Sequence, residues 1–334
     1  MNEEIQLGLK DRKILYQLDI DSRMPYSKIA KEVSMSKSTV KRRIEELVEL
    51  GIIIGFKAMI NPTRLGLNYY RLHIKLHDTD EKNKEKLIDF LKVHPNVVWV
   101  VSSDGPYDLL VSFVTKGNYQ MNALLMKLLN KFSNHIDHYT IIDVLRLVVF
   151  NRGYWLKNEA VPQANYFVGF EETARFKTTE IDEIDIGIIN VLAENARASA
   201  MEIATKLKIS SDSVLYRLRR LKTEGIITKF FLLTDYKKTG TALYKTLVYL
   251  NKFNEDIEKK ILNFSQQHPY IIDYVRTTAP WEIELDLEAR DHEHYHEILS
   301  ELRKLLPGVV KNYETLYVLK EHKFVLFPQF IGRI

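Results

Sequence analysis

The chain repeats itself. His94-Pro95 recurs as His268-Pro269, a shift of 174 residues. The same shift carries Asp11 onto Asp185, Arg23 onto Arg197, Ile29-Ala30 onto Ile203-Ala204 and Ser36 onto Ser210. It continues through Val40 and Val214, Arg43 and Arg217, Leu47 and Leu221, Gly51-Ile52-Ile53 and Gly225-Ile226-Ile227, Phe56 and Phe230, Gly66 and Gly240, and Pro106 and Pro280. Solenoid repeats have periods of roughly 20–50 residues, far shorter than this. A whole unit has therefore been copied in tandem, and the 334 residues divide into two related halves with a connection between them.

Each unit changes character partway along. Residues 1–60 have helical periodicity and then an apolar strand; residues 61–150 alternate apolar strands with two helical patterns. Residues 151–180 match neither copy. They hold Gly153, Pro162 and Gly169 but also Trp155, Phe167, Phe170 and Phe176, so this connection is expected to pack along a domain surface. Residues 181–234 repeat the first pattern and residues 235–327 the second. The strand and helix order of the second pattern is β-α-β-β-α-β, the ferredoxin-like arrangement. The fold class expected is α+β: two tandem units, each a winged helix-turn-helix followed by a ferredoxin-like domain. Such a sheet carries helices on one face only, so its other apolar face needs a cover, and the second copy supplies one.

Within residues 1–60, Ile14, Leu15 and Leu18 mark a first helix. Ser27 is placed to cap a second helix and Ser36 a third, which Gly51 ends. Val40, Ile44 and Leu47 form one stripe on the third helix, at about 100° per residue. Ser38 and Arg42 lie opposite, flanked by Thr39 and Lys41. A recognition helix needs this arrangement, because its first turn meets base edges while neighbouring cations hold phosphates. Residues 28–43 carry Lys28, Lys31, Lys37, Lys41, Arg42 and Arg43 against Glu32 alone. The candidate DNA contacts are Ser36, Lys37, Ser38, Thr39, Lys41, Arg42 and Arg43.

In the second copy Asp212, Leu215 and Tyr216 replace Ser38, Lys41 and Arg42. Ser211, Ser213, Tyr216, Arg217, Arg219 and Arg220 are the candidate contacts there, weaker for bases but able to hold phosphates. Alternatively, Leu215 and Tyr216 bury against the connection.

Composition bounds the rest. The net charge is only +4, from 48 Lys+Arg against 44 Asp+Glu, so local clusters and not the total argue for nucleic acid. Absence of cysteine excludes disulfides, thiol catalysis and Cys-ligated metal. No apolar run approaches the roughly 18 residues of a membrane span, and Met1-Asn2-Glu3-Glu4 is no signal peptide, so a cytoplasmic location is expected. His292-Glu293-His294-Tyr295-His296 matches a zinc-protease pattern formally, but the matching stretch around Gly117–Met121 has no histidine. A polar helix start is the preferred reading there, and no metal, cofactor or catalytic residue is expected.

The ordered set Leu9-x-Asp11-x-x-x-Leu15-x-x-Leu18, Arg23, Ile29-Ala30, Ser36-x-Ser38-Thr39-Val40-x-x-Arg43, Leu47, Gly51-Ile52-Ile53 and Phe56, followed by Gly105-x-x-Asp108, resembles the leucine-responsive/asparagine-synthesis regulator (Lrp/AsnC) family. The resemblance implies a regulator that binds double-stranded DNA, associates through its sheet domains, and responds to an amino acid or related metabolite. It implies effector contacts at Gly105, Tyr107 and Asp108. The second copy has Ala279-Pro280-Trp281-Glu282 in their place. The chain is expected as a homo-oligomer or as an intrachain pseudo-dimer. Two alternatives stand beside this reading. One is a sirohaem decarboxylase of the same architecture, with Arg71, His73 and Arg146 meeting tetrapyrrole carboxylates. The other is a metabolite-sensing corepressor that touches no DNA.

Overall fold

A computed structural model describes residues 7–77, 80–156, 164–169 and 178–328. Met1 to Glu4, and Pro162, Phe170 and Phe176 of the connection, lie outside the described residues. The first unit opens with α1 (Leu9–Ile20), α2 (Tyr26–Val33) and α3 (Lys37–Glu49), followed by β1 (Ile53–Ile60). Ile14, Leu15, Leu18, Ile29, Val33, Val40, Ile44 and Leu47 share one core, as their spacing requires. Ser36 caps α3 by accepting the Thr39 N–H at 3.1 Å. Ser27 does not cap α2. The helix starts earlier, at Tyr26 behind Pro25, where proline's fixed φ suits the entry and its missing N–H costs nothing.

The sheet domain that follows has β2 (Asn68–Leu76), α4 (Glu81–Val93), β3 (Val97–Asp104), β4 (Leu109–Thr115), α5 (Asn118–Phe132) and β5 (Ile136–Phe150). In the connection, Trp155 packs into the first helical core, and β6 (Ala164–Val168) pairs with the end of β5. The second unit repeats the order: α6 (Glu183–Glu194), α7 (Ala200–Leu207), α8 (Ser211–Thr223) and β7 (Ile227–Thr234), then β8 (Ala242–Leu250), α9 (Glu255–Gln267), β9 (Ile271–Thr277), β10 (Ile283–Ala289), α10 (His292–Leu305) and β11 (Val310–Phe324). Among the described residues no helix is long and apolar enough to cross a membrane.

The two sheets close on each other. The strand order β2-β4-β3-β11-β8-β10-β9-β5 returns to β2, so eight antiparallel strands form a ring. β5 and β11 make the closure. Each is 15 residues long; its first half pairs within its own sheet and its second half with the other copy. The helices cover the outside. Leu87, Leu91, Leu124 and Leu128 pack on the first sheet, and Ile261, Ile298 and Leu302 on the second. The inward faces meet as Val101, Leu110 and Ile142 against Leu247, Trp281 and Leu316. Closure leaves no edge of the ring unpaired, which removes the aggregation hazard of an open sheet.

The helical heads are tied together as well. β1 pairs antiparallel with β7, so the two wings form one ribbon. The Arg23 guanidinium donates to the carbonyls of Ala196 and Ala198; that of Arg197 donates to those of Ser22 and Met24. Ser22 N–H donates to Phe230 C=O, and Ala196 N–H to Phe56 C=O. Every partner of one set has its copy, 174 residues away, in the other.

One tie has no copy. The Arg152 Nε and Nη2 donate to the two oxygens of Glu288 on β10, both at 2.9 Å, while its Nη1 reaches Asp19 on α1 at 3.1 Å. Its backbone N–H donates to the same Asp19 at 2.8 Å. All three residues are buried. The connection thus fastens the first head to the second sheet.

Candidate nucleic-acid interface and sheet-domain loop

On α3, Lys37, Ser38, Lys41 and Arg42 are exposed, on the side away from buried Val40, Ile44 and Leu47. Lys41 lies 3.6 Å from Glu45, and Arg42 pairs with Glu46 one turn along. Such exposed i,i+4 pairs are worth well under about 1 kcal/mol and exchange readily for a phosphate. Ser36 and Thr39 share the cap, their hydroxyls 2.7 Å apart. Arg43 belongs to a different set. It lies 3.9 Å from Asp11 of α1 and half-buried, inside the module.

The second head is built differently. Arg217 donates to Asp182 and Asp185, at 2.7 and 2.9 Å, and Arg220 pairs with the same buried Asp185. These cations bind α8 to the start of α6. Ser210 caps α8 through the Ser213 N–H, and Ser211 and Ser213 are partly covered. Arg219 is exposed. Tyr216 is 68% exposed and Leu215 39%, so neither buries against the connection, contrary to the alternative reading. Met201 on α7, 71% exposed, adds a third apolar side chain to the exposed surface of this head.

The Gly105–Asp108 loop is internally satisfied. Asp108 accepts the Leu76 N–H at 2.7 Å and Lys75 Nζ at 3.1 Å. Glu282 does the corresponding work in the second copy, accepting the Leu250 N–H at 2.9 Å. The exchange of Asp for Glu therefore keeps this bond. Tyr107 is buried, its hydroxyl 2.9 Å from Thr140 Oγ1. Tyr107 and Trp281 meet inside the ring with His73 packed on both. Burial pushes the His73 imidazole down to about 3, so it is neutral there.

Gly105 has a physical reason to be glycine. Its φ is 134°, and a Cβ there would stand 2.5 Å from the Thr315 carbonyl oxygen of β11. Gly105→Ala is expected to cost about 2–3 kcal/mol, from left-handed backbone strain and the backbone clash together. Gly117, at φ 148° with open space around it, is the control; Gly117→Ala should cost about 1 kcal/mol. Thermal unfolding of both variants measures the difference, and equal losses would remove the close approach as the cause.

His292 and His296 face each other through their Nε2 atoms at 2.9 Å on α10. Among the described residues no three His, Asp or Glu side chains gather as a metal site.

Residues 9–48 match the model of the AsnC-type helix-turn-helix domain, and residues 181–228 that of a winged helix-turn-helix DNA-binding domain. The proline dehydrogenase transcriptional activator of Rhodobacter capsulatus is 34% identical over 102 residues, which is 30% of this chain and 66% of that protein. The HTH-type transcriptional regulator FL11 of Pyrococcus furiosus is 32% identical over 115 residues, covering 34% of this chain and 75% of the relative. The HTH-type transcriptional regulator Ptr1 of Methanocaldococcus jannaschii is 34% identical over 110 residues, covering 32% of this chain and 70% of the relative. Among solved structures, the siroheme decarboxylase NirDL superposes with a TM-score of 0.63 over 98% of this chain and 96% of its own. Its sequence identity is 15%, so this likeness is one of fold.

Proposed function

The chain belongs to the Lrp/AsnC family of helix-turn-helix transcriptional regulators, in a tandem-duplicated form, and on that premise we propose that it reads DNA mainly through its first head. The observation that carries the proposal is the exposed first two turns of α3, where Lys37, Ser38, Lys41 and Arg42 stand clear of the core with no buried partner. Ser36 and Thr39 set the helix start that aims them. Arg43 acts from behind by holding α3 to α1. In the second head Arg217 and Arg220 serve the module, which leaves Ser211, Ser213, Tyr216 and Arg219 as its means of touching the duplex. That head is a lesser contributor, placed beside the first by the paired wings.

Regulation and not catalysis is the reading the side chains favour. A tetrapyrrole ringed with carboxylates needs several uncommitted cations. Here Arg71 pairs with buried Glu284, Arg146 lies 3.1 Å from Glu258, and His73 is neutral. We assign the amino-acid-like effector to the Gly105–Asp108 loop, where Asp108 and Lys75 are the partly exposed polar pair and Tyr107 backs the loop from inside. A single chain already pairs its two sheets as a pseudo-dimer; further association would use the outer surfaces.

The test is binding to the DNA upstream of the chain's own gene at several salt concentrations. Specific protection with a log–log salt slope of about −4 or steeper is expected, since each phosphate neutralised contributes about −0.9. Equal affinity for unrelated DNA would remove the sequence-specific reading. Repeating the titration with amino acids shows whether an effector moves the midpoint.

A further inference from the structure

The histidine pair on α10 has no part in the DNA contacts or in the Gly105–Asp108 loop. His292 and His296 are one helical turn apart, so their side chains stand on one face, and both are exposed. Their Nε2 atoms are 2.9 Å apart and their ring centres 4.4 Å, with the ring planes at 87°. A straight N–H···N bond of that length would hold the ring centres about 5.2 Å apart. The shorter separation fits rings tilted off that line. Two imidazoles directed at one shared atom, each nitrogen about 2.0–2.1 Å from it and the two at a right angle, would have nitrogens about 2.9 Å apart and ring centres about 4.5 Å apart.

The pair stands on a fixed base. The Tyr295 ring packs against both, its centre 6.1 Å from that of His292 and 5.3 Å from that of His296. Tyr295 is buried, and its hydroxyl lies 2.9 Å from Thr246 Oγ1 and 2.8 Å from Thr315 Oγ1. Tyr313 flanks His296, its hydroxyl 3.4 Å from Nδ1. The Arg303 guanidinium lies over the Tyr313 ring, 4.5 Å from its centre. When Nδ1 donates to that hydroxyl, the free lone pair of His296 is on Nε2, the atom that faces His292. The shift of 174 residues places Asn118 and Asn122 opposite His292 and His296, and Met121 opposite Tyr295. The pair and its base are therefore a property of the second copy and not of the shared scaffold.

We propose that His292 and His296 chelate a divalent late transition-metal ion of the copper(II) or nickel(II) kind through both Nε2 atoms. A right angle between two nitrogens belongs to tetragonal or octahedral coordination, which these ions adopt. Tetrahedral zinc would spread the nitrogens to about 3.3 Å. Calcium and magnesium take oxygen ligands, which the pair does not offer. Two protein ligands leave the remaining positions to water. The site therefore suits an ion that exchanges with solvent, not one that holds the fold together.

The experiment is titration of the full chain, without DNA, with copper(II) alone and separately with nickel(II) and zinc(II) at pH 7.5. Calorimetry reads affinity, and electron paramagnetic resonance counts the nitrogens on copper. One copper(II) is expected to bind with two equatorial nitrogens, and nickel(II) to bind at least as tightly as zinc(II). His292→Asn and His296→Asn match the side chains of Asn118 and Asn122 at the start of α5, so the helix should keep its fold. Each should lower copper affinity by about tenfold or more, because the second ligand binds intramolecularly once the first is in place. The double variant should lose this binding event with its thermal melt unchanged. Equal affinity in the parent and both single variants, the mark of adventitious binding at isolated histidines, would overturn the proposal. So would a copper spectrum with one equatorial nitrogen, or nickel(II) binding well below zinc(II). Since no DNA is present, this outcome is separate from that of the DNA experiment.

Discussion

Replacing Arg152 by alanine is expected to destabilise the chain by about 3–5 kcal/mol. The guanidinium is the shared partner of two buried carboxylates. One, Glu288, belongs to β10 of the second sheet; the other, Asp19, belongs to α1 of the first head. Removing it leaves both uncompensated. Lys229, with Nζ 4.0 Å from Asp19, is too far for a good hydrogen bond and relieves only part of that charge. The Tyr154 hydroxyl, 2.6 Å from Glu288, offers one remaining donor. Unfolding in urea followed by circular dichroism measures the loss. The same change in a Glu288→Gln background should cost less, because the unpaired charge is then already gone. A loss below about 1 kcal/mol in the wild-type background would show that water reaches the cluster and that the connection fastens nothing.

This tie was not legible in the sequence, and the reason is instructive. Asp19, Arg152 and Glu288 are separated by more than a hundred residues and occur once each, so neither periodicity nor the 174-residue shift connects them. What repeats locally was readable. The stripe of Val40, Ile44 and Leu47 placed α3, and the Ser36 cap fixed its start, because both depend on neighbours within a few turns. Ser27 misled because a serine in cap position competes with a proline two residues earlier that does the same work. The closure by β5 and β11 was not readable either, since their second halves pair with strands of the other copy and no local pattern records that pairing. Arg23 with Arg197 and Phe56 with Phe230 recur because they meet across the pseudo-two-fold axis, not because they touch a ligand. Asp11 with Arg43 recurs as Asp185 with Arg217, an opposed pair copied whole. That joint recurrence was the available sign that these arginines hold a module together.

The same distinction sets the expected result on DNA. Replacing Lys37, Lys41 and Arg42 together by alanine should weaken operator binding by about 3–5 kcal/mol, roughly two to four orders of magnitude, with little change in stability. The salt slope should flatten by up to about 3 if all three meet phosphates, and by less if Arg42 reads a base. Stability is spared because these side chains are exposed and their partners Glu45 and Glu46 lie on the same helix surface. Arg217→Ala should do the reverse. It strips buried Asp185 of one of its two arginines and should cost about 1–2 kcal/mol in unfolding, with DNA affinity changed only severalfold. Tyr216→Ala and Arg219→Ala should likewise change affinity less than about tenfold, since an exposed tyrosine and a single cation supply little charge to a phosphate backbone. Gel-shift titrations at two salt concentrations, alongside thermal melts, separate the two kinds of arginine. If Tyr216→Ala and Arg219→Ala lose as much affinity as the triple variant, the two heads read DNA equally, and the divergence of α8 from α3 is a change of target sequence. If they do not, the duplication kept one head for the duplex and turned the other into its support, through the wing ribbon and the Arg23 and Arg197 contacts that lock the pair.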